Sequence, residues 1–157
     1  MTDKDSQSQA ITVSEFAKLV AEELDFTWEE QVEFAGRAEA IFNADIHWKV
    51  PSATYAYYMD DAFRNRREIS REEAAALMAI ASELIGDQAP KLSSLEAVQT
   101  ISRFKDAKLV AAWAMPALAT AVRQAWMGCP KQEIKPKHYM TPNEAVTIVK
   151  RFATDMQ

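Results

Sequence analysis

Glycine is scarce in this chain, with three residues in 157. A sandwich or barrel of short strands needs many tight turns, and so few glycines cannot easily supply them. A glycine-rich phosphate cradle is missing for the same reason. Cysteine occurs once, as Cys129, so no internal disulfide can form. His47 and His138 are the only histidines and lie far apart in sequence. Cys129 and His138 lack the second ligand pair that a tetrahedral zinc site requires. No EF-hand loop and no nucleophile elbow is found. Catalytic residues, bound metals and cofactors are therefore not expected. No apolar run approaches the roughly 18 residues of a membrane span. A basic excess is missing too: the net charge is −5, which argues against a nucleic-acid partner.

What remains is ordinary globular material, 48% hydrophobic and 26% charged, rich in alanine and prone to helix. Charge is unevenly spread. Residues 1–78 carry 8 basic and 16 acidic side chains, and residues 79–157 carry 10 and 7. An anionic partner is more easily accepted by the second half, although solubility alone also explains the pattern. The opening MTDKDSQSQA lacks the basic-then-apolar plan of an export leader. Either the chain is cytoplasmic or it is a trimmed piece of an exported protein. Residues 1–10 are expected to form a disordered lead-in, and residues 11–157 a single domain.

Helical periodicity dominates that domain. Capping boxes of the Ser/Thr-x-x-Glu form begin at Thr12, Thr27, Ser70 and Thr141. They predict helices over about 13–25, 28–42, 70–84 and 142–154. Apolar stripes predict further helices over about 52–64, 94–103 and 109–127, with Gly86 as a stop after the Ala-rich helix. Residues 43–52 and 129–140 read as loops.

Three of the capped helices are alike: ITVSEFAKLVAEEL from Ile11, ISREEAAALMAIASEL from Ile69 and MTPNEAVTIVKRFA from Met140. Their caps are 58 and 71 residues apart. Two are preceded by a matching element, FNAD from Phe42 and FKDA from Phe104, each leading into an aromatic and Ala-rich helix. Such recurrence is the mark of a repeated supersecondary unit.

In this order the segments resemble the S-layer homology family. FKDAKLVAAWAMPALATAVRQAWMG, a loop, and MTPNEAVTIVKRF look like a complete repeat, with its F-x-D opening, Trp-Ala pair, Gly-containing loop and Thr-Arg-Ala-Glu-type helix start. The resemblance divides the domain into a partial repeat over about 11–41, a diverged one over 42–86 and the full one over 94–157. It implies an all-α fold in which three repeats stand in a pseudo-threefold arrangement around a central helix bundle. It also implies a non-catalytic anchor that binds an anionic secondary cell-wall polysaccharide in grooves between repeats. The chain would then belong to a larger bacterial surface protein, in the cell wall or S-layer, alongside other domains.

The motif arginine is present only in the second repeat, as Arg71; Val13 and Pro142 occupy the equivalent places. A guanidinium grips a carboxylate with two parallel hydrogen bonds, which Val and Pro cannot do. At best one groove of the usual kind is expected. Its candidate glycan contacts are Arg71 beside a positive helix end, Arg64 from the run upstream, Trp48 and Trp126 as sugar-stacking faces, Gly128, and Lys131 in the basic loop. Each has a plain structural reading as well: charge compensation at a helix end for Arg64, core packing for Trp126, a solvated loop for Lys131 with Lys135 and Lys137. Trp113 is expected in the core, and Asp45 and Asp106 as acceptors of free turn amides. Two other readings stay open, a cytoplasmic helical module that binds protein and a degenerate repeat that serves as a spacer.

Overall fold

The computed structural model describes residues 10–46, 68–86 and 92–157, apart from the side chains of Ser14 and residues 39–46. The expected lead-in, the helix over 52–64, Trp48 and Arg64 lie outside the described residues, as does the Asp45 side chain. Among the described residues the fold is all-α, with no strand. Its helices are α1 (Val13–Glu23), α2 (Trp28–Ile46), α3 (Arg71–Leu84), α4 (Ser94–Ser102), α5 (Met115–Arg123) and α6 (Pro142–Asp155).

Local chemistry sets where these helices start. A helix leaves its first amides without intrahelical partners, and a reciprocal Ser/Thr–Glu pair satisfies two of them. At α1 the Glu15 amide donates to Thr12 Oγ1 at 3.1 Å, and the Thr12 amide donates to Glu15 Oε1 at 3.0 Å. The same pairing joins Thr27 with Glu30, Ser70 with Glu73, and Thr141 with Glu144. Ser93 and Glu96 form another at the start of α4.

Helix ends are equally specific. Asp25 and Ala125 adopt left-handed backbone with φ of 55° and 62°. The next amides, of Phe26 and Trp126, reach back to the carbonyls of Ala21 and Ala121, both at 3.0 Å. This reversal closes α1 and α5 and folds an aromatic side chain back onto the helix it follows. After α3 the same left-handed place is taken by Gly86, with φ of 111°, as its sequence position predicts.

Two expected boundaries shift. The second helix runs to Ile46 rather than 42. The long helix expected over 109–127 is broken into single 3-10 turns at Ala107–Leu109 and Ala112–Ala114, followed by α5. Pro116 is the physical reason. It has no amide to donate and clashes with a preceding turn, so a helix can carry it only near its start, where α5 places it.

Three residues tie these elements together. The Ile11 amide donates to the Met140 carbonyl at 2.7 Å, Met140 to Ile69 at 3.1 Å, and Ile69 to Ile11 at 3.1 Å. The three bonds close a cycle in which every participant gives one bond and takes one. Each of the three residues stands immediately before a capping residue, Thr12, Ser70 or Thr141, so α1, α3 and α6 all start from this ring. The ring side chains are buried, Ile69 and Met140 completely.

From the ring outward, α1 packs against α3 and α6, α3 against α2 and α5, and α4 against α5. One hydrophobic cluster runs through all of them, including Phe16, Phe34, Leu77, Leu118 and Phe152. Burying each large side chain of this kind contributes about 1.5–3 kcal/mol.

Replacing Ser70 by Ala removes a buried cap from α3. The expected cost is about 1 kcal/mol, a fall of roughly 2–4 °C in the thermal midpoint, measurable by circular dichroism melts.

Candidate functional site

The start of α3 is covered by the segment 128–140. A buried helix end needs partners for its free amides, and here the loop provides them. The Arg71 amide donates to the His138 carbonyl and the Glu72 amide to the Pro136 carbonyl, both at 3.0 Å. The Glu73 amide is held by its cap, Ser70. The positive end of α3 is therefore closed by protein, which corrects the expectation that it faces a ligand.

Arg71 is also placed differently from a surface cation. It is 7% exposed, and its guanidinium crosses to the loop: Nε donates to the Ile134 carbonyl and Nη2 to the Gly128 carbonyl, both at 2.7 Å. Asp106 clamps the same loop from the other side. Its two carboxylate oxygens accept the amides of Ile134 at 2.9 Å and Lys135 at 2.7 Å. This is the amide-accepting role expected of it. Partial burial works against the charged form of Asp106, but those two amides, its own backbone and the Arg71 charge together hold its carboxyl below the usual aspartate value.

A second clamp, unread in the sequence, is Glu72. It is 2% exposed, and its carboxylate accepts the Ala111 amide at 3.0 Å and the Lys137 ammonium at 2.6 Å. Lys137 is thus paired, not offered to a ligand. Cys129 sits half-buried beside Arg71, and burial pushes its thiol up despite that neighbouring cation.

Between the loop and α6 runs an open groove of about 370 Å³. Arg71, Gly128 and Pro130 line one side, and Asn143, Thr147 and Arg151 the other. Of the expected glycan contacts, this brings together Arg71 and Gly128. A methyl group built on Gly128 meets nothing within 4 Å, so glycine is not sterically required there. Lys131 is exposed, has a left-handed φ of 59°, and does not line the groove.

Trp126 is a correction. The reversal at Ala125 turns it inward, to 1% exposure. There its indole N–H donates to Asp155 Oδ2 at 2.9 Å, and its ring meets Phe152 edge-on with centroids 4.7 Å apart. No face is left for a sugar. The sequence signal for this was absent, because the left-handed residue at 125 is alanine rather than glycine. Asn143, Thr147 and Arg151 were missed although their spacing of four puts them on one face of the predicted helix.

Compared with known proteins, the chain matches no family model, no curated protein and no solved structure.

Asp106→Asn leaves one acceptor oxygen where two amides need one each. The thermal midpoint is expected to fall at about pH 7. Because the folded-state pKa is depressed, the carboxylate's contribution is present above the unfolded value of 3.8 and disappears as pH falls through the lower folded value. The gap between wild type and variant should therefore narrow in melts carried out at progressively lower pH below 3.8.

Proposed function

We propose that this chain is a non-catalytic anchoring module of the S-layer homology kind, built from three related helical repeats and binding an acidic cell-wall glycan in the groove beside α6. The observation that carries the reading is the closed cycle of Ile11, Ile69 and Met140. Three residues at the same place before the capped helix of each repeat, bonded head to tail, are what a pseudo-threefold arrangement leads one to expect. A chance packing of three helices gives no reason for the same position in each to meet its two counterparts.

The groove supports the binding half of the reading. On this reading it lies between the second and third repeats, and it combines two arginines with the Glu144 carboxylate, an amide, a hydroxyl and the buried apolar Ile148. Sugars are held by that mixture: hydroxyl partners, an apolar contact for the ring, and a cation for an acidic substituent. The groove is shallow and open at its sides, which suits a chain passing through more than an enclosed small molecule. Apart from Arg71, its lining comes from the half of the chain with the basic excess.

Co-sedimentation with purified Gram-positive wall sacculi tests the proposal. The full chain should pellet with sacculi at low salt and be released as ionic strength rises, because screening weakens the charged part of the contact. A chain that stays in the supernatant at every salt concentration contradicts the anchoring function while leaving the helical fold untouched.

A further inference from the structure

We infer that the residue of this groove that grips the ligand's acidic group is Arg151, and that Arg71, the motif arginine, positions the groove wall instead. This rests on the reading above and assigns the two cations different roles.

Arg71 has limited capacity left. A guanidinium takes a carboxylate side-on through Nε–H and one Nη–H, or end-on through its two Nη groups. Its Nε–H is held by Ile134 and its Nη2 donates to Gly128. Turning it toward a ligand means breaking both bonds and leaving the buried Ile134 carbonyl without its partner. Arg71 therefore stays with the loop, and although it lines the groove, only the Nη hydrogens that the loop does not use are left to it there.

Arg151 is the opposite case. It is exposed, and it has no hydrogen-bond or ion-pair partner among the described residues. Two carboxylates of the same helix, Asp155 and Glu144, each give one oxygen to other partners. Asp155, four residues on, accepts from Trp126 Nε1 and Gln124 Nε2, both at 2.9 Å. Glu144, in the same groove, accepts the Thr141 amide at 2.9 Å in the α6 cap. Neither carboxylate bonds Arg151, which lines the groove with its guanidinium donors free of partners among the described residues.

The neighbours of Arg151 complete a site for a saccharide bearing a carboxylate. Thr147, one turn earlier, donates its hydroxyl hydrogen to the Asn143 carbonyl at 3.1 Å, so its lone pairs remain to accept from a sugar hydroxyl. The Asn143 side chain offers both donor and acceptor, and Ile148 supplies an apolar floor. This arrangement is particular to α6. Ten residues after their caps, where α6 has Arg151, α1 has Glu22 and α3 has Ile80.

The test is co-sedimentation of the full chain with two preparations of wall sacculi, one intact and one with its carboxyl groups amidated. Arg151→Gln should weaken binding to intact sacculi at least tenfold with an unchanged thermal midpoint, and Arg151→Lys should recover part of the loss. Amidation should weaken wild-type binding to a similar degree. Arg71→Lys should instead lower the thermal midpoint, because a lysine cannot reach both loop carbonyls from one planar group. If wild type binds intact sacculi and Arg151→Gln binds equally well, the assignment of Arg151 falls while the anchoring function stands. If wild type binds both preparations alike, the acidic group is not a carboxylate and the inference is overturned. If wild type binds neither, the anchoring function falls and this inference with it.

Discussion

Three backbone hydrogen bonds, joining Ile11, Met140 and Ile69 in a closed cycle, are the constraint on which this structure turns. Each is worth only about 0.5–1.5 kcal/mol net. Their importance lies in what they join. The residues come from the beginning, middle and end of the chain, each sits one position before a helix cap, and their side chains are buried together. A buried peptide group must be partnered, and in a cycle the loss of any one member orphans a donor on one neighbour and an acceptor on the other. The ring thereby makes the starting points of α1, α3 and α6 mutually dependent, and the packing of α1 on α3 and α6 follows from it.

A second level of organisation is built on the first. Once α3 starts at the ring, its exposed amides and its first two charged side chains face the segment that leads to α6. Arg71 and Glu72 bind that segment through two carbonyls and Lys137, Glu72 also takes the Ala111 amide, and Asp106 holds the segment by the amides of Ile134 and Lys135. These groups are charged, yet their work is structural. They allow a loop with left-handed residues at 131, 132 and 135 to lie in one conformation over a helix end. The groove beside α6 is the space left by that arrangement, and Arg151 lines it with no hydrogen-bond or ion-pair partner among the described residues.

Much of this was legible in the residues, and the reason is locality. A capping box involves four consecutive positions, so Thr12, Thr27, Ser70 and Thr141 mark their helices without help from the rest of the chain. Gly86 is legible for the same reason. Pro116 is a local signal too, but the apolar stripe over 109–127 hides the break it imposes, and the helix starts only at Met115. What the residues did not disclose depends on long-range geometry. Trp126 looks like an edge residue until the chain reverses at an alanine, a residue that gives no warning of left-handed backbone. Arg71 looks like a ligand-facing cation until a loop 57 residues away in sequence places the Gly128 carbonyl against it. Arg151 looks like one helix arginine among several until Asp155, four residues on, is found bonded to Trp126 and Gln124 and not to it. In each case the deciding partner lies tens of residues away, or is a neighbour bonded to such a residue.

The claim that the ring is one cooperative unit is open to direct measurement by native-state hydrogen exchange. The amides of Ile11, Ile69 and Met140 should exchange with the same opening free energy, close to that of global unfolding, and all three should respond together to added denaturant. An Ile11 or Met140 amide that exchanges through a small local opening, while Ile69 remains protected at the global level, would contradict it.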